Sequence, residues 1–266
     1  MAKSNTNSLG QASVGKDMRV YAIGDIHGCV DELKALLKLI KADLATHPVK
    51  KHRLIFIGDY VDRGPDCKGV IDRLLKLKSK GHPVTFLRGN HEEKLMTAFS
   101  GINQRQFDGF AKYGGLETLA SYGLTAEKLQ LELGGKAKVF NLKAFSKAVR
   151  KYLPKKHIKF LTKLKSSTKQ GDYFFCHAGV DPEVPFNKQN EFDLVWMREP
   201  FLSWDKPLER VVVHGHTPRD KPQARPHRIN VDTACVYGGA LTAVVLEGTT
   251  HRFLQIKAMT TYRRGN

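Results

Sequence analysis

Gly58-Asp59-Tyr60-Val61-Asp62-Arg63-Gly64 follows directly on Leu54-Ile55-Phe56-Ile57, and the junction between the two decides how the chain is read. Four consecutive apolar residues read as a buried strand, and the glycine after them lets the backbone turn sharply where the strand ends. Asp59 is thereby expected at the carboxyl edge of a sheet, where open α/β sheets bind their ligands. Two more polar clusters follow similar runs: Gly24-Asp25-Ile26-His27-Gly28 after Arg19-Val20-Tyr21-Ala22-Ile23, and Gly89-Asn90-His91-Glu92 after Val84-Thr85-Phe86-Leu87-Arg88. Three strands therefore deliver Asp, His, Asp, Asn and His to one edge.

Amphipathic helices fill the intervals. Leu33, Leu36, Leu37, Ile40 and Leu44 recur at helical spacing after the first cluster, and Val70, Ile71, Leu74, Leu75 and Leu77 after the second, stopping near Gly81 and Pro83. A third helix is expected around Glu92 to Ala98. Strand, turn and helix alternate three times, which argues for an α/β fold with parallel pairing. From 101 to 170 the alternation lapses into helical fragments at 116–122, 126–133 and 139–150, read as a helical insertion or cap. Strands resume with Tyr173-Phe174-Phe175-Cys176, ending at His177-Ala178-Gly179, and Arg210-Val211-Val212-Val213, ending at His214-Gly215-His216-Thr217. In the tail, runs at 229–231, 241–246 and 253–256 between glycine turns suggest an antiparallel meander completing a second sheet. The expected organisation is a loosely attached leader, 1–17, one domain, 18–257, with the insertion 101–170 inside it, and a flexible tail, 258–266.

A chain of 266 residues, 41% hydrophobic, is long enough to bury a core of its own. No apolar stretch approaches the roughly 20 residues of a membrane span, and the polar start lacks the apolar centre of a signal peptide, so a cytoplasmic protein is expected. Cys29, Cys67, Cys176 and Cys235 are scattered without a CxxC pair, as in a reducing compartment. Cys29 and Cys176 adjoin the polar clusters, but soft thiolates do not match the hard donors there, so both are read as packing residues. The net charge of +18 is uneven: 136–170 holds twelve Lys/Arg and no Asp or Glu. Such a run is either a solvated helical face or an electrostatic funnel for an anionic substrate or partner, nucleic acid included.

Asp25, His27, Asp59, Asn90, His177 and His216 each end an apolar run, and each offers an oxygen or an imidazole nitrogen. Singly, a Gly-Asp after a strand is more often a capped turn, and a His there a hydrogen-bonded core residue. Jointly, carboxylate, amide and imidazole suit a transition ion such as Mn, Fe or Zn. Six donors are too many for one ion with an open position and about right for two ions sharing a ligand.

These motifs resemble the phosphoprotein phosphatase family of calcineurin-like metallophosphoesterases, most closely its small bacterial and bacteriophage Ser/Thr protein phosphatases. The resemblance runs from about Arg19 to Gly248 and is weakest over 101–170. It implies a β-sandwich flanked by helices (αββα) and two divalent ions, Mn first among Mn, Fe, Zn and Ni. Asp25 and His27 would hold one ion, Asp59 would bridge, and Asn90, His177 and His216 would complete the other. It further implies attack by a hydroxide held between the ions, with His91, oriented by Asp62, as general acid. Arg63 and Arg198, from Val195-Trp196-Met197-Arg198-Glu199-Pro200, would clamp the phosphate, with Asn90 also in contact. Phosphoproteins are the expected substrates, with symmetrical hydrolysis of dinucleoside polyphosphates as the alternative and a catalytically inactive binder of nucleic acid or acidic proteins as a third reading. His214, Glu92 and Arg88 are expected to serve structural roles.

Overall fold

Side chains that alternate along the apolar runs are shared between two packed layers, and that sharing builds the molecule. A computed structural model of the chain describes residues 8–133 and 141–259. Strand and helix alternate through β1 (Met18–Ile23), α1 (Val30–Thr46), β2 (Lys51–Phe56), α2 (Cys67–Ser79), β3 (Val84–Phe86) and α3 (Asn90–Ser100). Five helices follow: α4 (Gln104–Lys112), α5 (Gly115–Ser121), α6 (Ala126–Glu132), α7 (Leu142–Tyr152) and α8 (Lys155–Leu161). The chain then runs through β4 (Ser167–Gln170), β5 (Tyr173–Cys176), α9 (Glu191–Trp196), β6 (Val211–His214), β7 (Gln223–Arg225), β8 (Arg228–Asn230), β9 (Asp232–Thr233), β10 (Ala240–Glu247) and β11 (Thr250–Lys257).

One sheet has the order β11-β10-β1-β2-β3, with β9 paired to β10; the other has the order β4-β5-β6-β8-β7. Strands β1, β2 and β3 run parallel, as do β5, β6 and β8, so both sheets present carboxyl ends. Val20 and Ala22 of β1 face the other sheet and pack with Ile55, Phe175, Val213 and Ile229. Tyr21 and Ile23, one residue out of phase, pack with Leu33, Leu36, Val70 and Leu74 of the helices. A third cluster, Phe174, Val212, Leu194 and Phe201, covers the outer face of the second sheet beneath α9 and loops. This is the expected α/β β-sandwich flanked by helices. No helix among the described residues is long and apolar enough to cross a membrane.

Several expectations need correcting. The tail is not a meander completing the second sheet. β8 joins that sheet parallel to β6, whereas β10 and β11 extend the first sheet, β10 lying antiparallel to β1. β10 is buried on both faces along Leu241 to Leu246, which a half-solvated hairpin would not be. The span 101–170 ends in a strand, not a helix: polar Ser167-Thr168-Lys169-Gln170 forms the edge strand β4 and offers no apolar run to find. Helices α4, α8 and α9 were not anticipated; α4 buries only Phe110, and α8 starts directly after Pro154. Residues 8–17 are not a loose leader. Ala12 and Val14 lie fully buried in the inter-sheet core, and the amides of Ser13 and Val14 donate to Asp172 and the Gly248 carbonyl. Residues 1–7, 134–140 and 260–266 lie outside the described residues, and with them the start of the fragment expected at 139–150.

Candidate metal centre and active-site cleft

Left-handed turns after β1, β2 and β6 shape the strand ends that meet at the site. Among the described residues seven non-glycine positions have positive φ, and five of them are His27, Asp59, Asp62, Arg63 and His216. Backbone of this kind persists only where surrounding bonds over-determine it. Here the amides of Ile26 and His27 donate to the Asp59 carbonyl at 3.0 and 2.8 Å. The Glu92 carboxylate, fully buried, accepts from the amides of Asp59 (2.9 Å), Tyr60 (2.7 Å), Val61 (3.2 Å) and Gly89 (2.9 Å). Gly58 turns with φ +117°, and a Cβ there would strike the Gly89 backbone; one on Gly64 would strike the His27 carbonyl. These glycines let the turns stack.

The stacking gathers the donors. Nδ1 of His27 lies 2.7 Å from the Val61 carbonyl, which as acceptor fixes the tautomer and leaves Nε2 directed at Asp59 Oδ2, 3.4 Å away. Asn90 Oδ1 lies 3.0 Å from both His177 Nε2 and His216 Nδ1, and His177 Nε2 is 3.4 Å from Asp59 Oδ1. Among the described residues two groups of candidate ligand atoms, His27–Asp59–His91 and Asp59–His177–His216, each have all their members within 4.8 Å of one another, so Asp59 is common to both. Asp25 is in neither group: its carboxylate accepts from the His216 amide at 3.1 Å and faces Asp232. Burial and that second carboxylate push Asp25 well above the ordinary range. Burial would lower His177, but the Asp59 charge outweighs it and raises the imidazole to about 9.

His91 Nδ1 lies 2.6 Å from Asp62 Oδ2, and the Thr118 hydroxyl donates to Asp62 Oδ1 at 2.6 Å. Burial lifts Asp62 to about 7 and pushes His91 well below the usual imidazole range. Arg63 rests its guanidinium against His27 Nε2 and over the Tyr237 ring. Arg198 is exposed at the rim. A cleft of about 900 Å³ opens outward from Asp59, Asn90, His91 and His216, and its walls include Arg63, Lys94, Arg105 and Arg198.

His214 is buried against Phe201 with its Nδ1 toward the Gly215 carbonyl, apart from the donor set. Arg88 pairs with Glu191 at 2.8 Å and does not line the cleft. All four cysteines are buried and free. The sequence reading missed Thr118, Asp232 and the cleft residues Lys94 and Arg105. It gave Glu92 a local role, and the Gly89-to-Glu92 spacing of a capping box was the visible trace of its larger one.

Buried carboxylate, amide oxygen and imidazole, converging without a thiol and with one shared carboxylate, are donors that fit divalent metal binding. The family model for calcineurin-like phosphoesterases matches residues 18–246. An asymmetrical bis(5'-nucleosyl)-tetraphosphatase of Oceanobacillus iheyensis is 31% identical over 245 residues, covering 85% of this chain and 88% of that protein. The protein of the same description from Anoxybacillus flavithermus is 29% identical over 241 residues, 84% of this chain and 88% of its own. Among solved structures, a candidate diadenosine tetraphosphatase superposes with a TM-score of 0.57 at 24% identity, covering 89% of this chain and 93% of that one. A protein serine/threonine phosphatase of Saccharomyces cerevisiae superposes with a TM-score of 0.51 at 16% identity, covering 95% and 86%. At such identities the two superpositions speak to the fold alone.

Proposed function

Because the chain belongs to the calcineurin-like phosphoesterase family, we propose that it is a metal-dependent hydrolase of dinucleoside polyphosphates, cleaving a phosphoanhydride bond of the polyphosphate bridge. The order reached from sequence, phosphoproteins first and dinucleoside polyphosphates second, is thereby reversed. The relatives are named for asymmetrical cleavage, so unequal products replace the symmetrical ones expected. The observation that carries the reading is the cleft: it runs on from the donor cluster past four cationic side chains, room and charge that a single phosphate would not use.

In this reading Asp25, His27 and Asp59 hold one ion, and Asp59, Asn90, His177 and His216 the other. Such ions, when bound, lower the pKa of water and offset the charge of the phosphate under attack. Arg63 and Arg198 bind the phosphoryl oxygens with their planar forks, and the amino end of α3 turns its positive pole to them. The buried Asp62–His91 pair holds a proton on the Asp62 side of its 2.6 Å contact, and His91 would pass its Nε2 proton to the departing oxygen as Nδ1 takes up the one from Asp62. Water adds to phosphorus, the bridging P–O bond breaks, and the departing oxygen leaves as a nucleotide phosphate.

Diadenosine tetraphosphate and a phosphoserine peptide, assayed side by side with Mn, Fe, Ni and Zn, decide the matter. Turnover of the nucleotide to adenosine mono- and triphosphate is expected, with about two metal equivalents by elemental analysis. Turnover of the phosphopeptide alone would return phosphoproteins to first place. Equal diphosphate products would restore the symmetrical reaction. Less than one equivalent of metal with no hydrolysis of p-nitrophenyl phosphate would favour a binding module.

A further inference from the structure

Lys94 has no part in the chemistry above. It stands four residues after Asn90 and three after His91 on α3, so helical geometry sets it on the face that carries both, about one turn farther along. Its ammonium lies 4.1 Å from the Tyr113 ring centroid and 5.1 Å from that of Trp196. Both rings line the cleft, at whose inner end stand Asp59, His91 and His216. Trp196 is held from behind: its indole N–H donates to Glu93 at 3.4 Å, and Phe192 stacks on it at 6.0 Å. Glu93, the carboxylate next in sequence, is thus turned to Trp196 and Arg88, and Lys94 forms no ion pair among the described residues.

A lysine supported by two π faces has its charge position set without being neutralised, because the rings offer a quadrupole and no formal charge. Beside a phosphate-cleaving centre, such a cation is a ready partner for a second anion. We infer that Lys94, seated between Tyr113 and Trp196, binds the phosphate next along the chain from the one under attack, and so selects polyphosphates over simple monoesters. This rests on the polyphosphate reading above. The competing role is structural, with Lys94 merely holding the two rings in place.

The experiment compares kcat/KM for diadenosine tetraphosphate and for p-nitrophenyl phosphate in the Mn-loaded wild type, Lys94→Met and Lys94→Arg. Methionine keeps the unbranched stem and removes the charge; arginine keeps the charge. The ratio of the two kcat/KM values is expected to fall about 10- to 100-fold in Lys94→Met, the size of one charge-assisted hydrogen bond, chiefly through KM for the nucleotide. In Lys94→Arg it returns to within about threefold of wild type. An unchanged ratio, whether both substrates suffer equally or neither does, overturns the inference.

A second arm separates this inference from its premise. Inorganic tripolyphosphate and orthophosphate are compared as inhibitors of p-nitrophenyl phosphate turnover at fixed free Mn. Wild type is expected to bind tripolyphosphate more tightly, and Lys94→Met to lose that preference. If the wild type cleaves no dinucleoside polyphosphate, the proposed function fails and this arm alone decides the role of Lys94. A wild type without the preference, or a Lys94→Met protein that keeps it, sinks the inference.

Discussion

Four backbone N–H groups converge on the two oxygens of the buried Glu92 carboxylate, and three of them belong to the turn that carries Asp59. Glu92→Gln would turn an amide N–H₂ toward donors at one of those oxygens, leaving buried groups unsatisfied. We expect a loss of about 2–3 kcal/mol in unfolding free energy and weaker metal retention, read by denaturant titration and elemental analysis. Unaltered stability would show that the turn holds itself. Asp59→Asn and His91→Asn separate two other roles. The first removes the carboxylate common to both ligand groups and is expected to abolish turnover with loss of metal. The second is expected to keep metal and slow turnover about 10²–10⁴-fold. Metal lost from His91→Asn would make His91 a ligand, which its place beside His27 and Asp59 makes a pointed test. The candidate ligands were legible because each follows an apolar run, so strand pattern alone located them. Thr118 and Asp232 were not, since they meet Asp62 and Asp25 only through long-range folding.

At the scale of elements, β5 and β6 were legible for the same reason, being buried on both faces and continuous in hydrophobicity. Sheet membership of the tail was not, because the sequence of β10 fits either sheet and only its register against β1 decides. The helical insertion is fastened by a contact no spacing announces. His157 of α8, fully buried, lies with Nδ1 2.8 Å from the Tyr122 hydroxyl and Nε2 3.0 Å from Asp72 of α2. His157→Phe keeps the ring but leaves that hydroxyl unpaired, and is expected to cost about 1–3 kcal/mol by denaturant unfolding. Burial would raise the Asp72 carboxyl, but Lys68, Lys156 and His157 outweigh it and hold it well below the carboxylate range. A depressed folded pKa gives stability that is complete above the unfolded value, about 3.9, and is lost as pH falls toward the folded one. The unfolding midpoint of wild type should therefore exceed that of Asp72→Asn by a constant margin at neutral pH. The margin should shrink below about pH 4, and one that persists undiminished into stronger acid would mean Asp72 acts through packing.

For the molecule as a whole the governing quantity is the net charge of +18, concentrated in the stretch 136–170 yet matched at the cleft by Arg63, Lys94, Arg105 and Arg198. A field of that size raises the encounter rate of anions in proportion to their charge, and salt screens it over about 10 Å at 0.1 M. A dinucleoside tetraphosphate carries more charge than a phosphomonoester, so the two substrates should respond differently. Between about 20 mM and 500 mM salt, kcat/KM for diadenosine tetraphosphate is expected to fall about tenfold or more, and that for p-nitrophenyl phosphate by a clearly smaller factor. The kcat for either should change little, because the buried donors around Asp59 lie beyond the reach of bulk ions. Equal factors for the two substrates would assign the basic stretch to a solvated surface, and the choice between its two readings would then fall to the bland one.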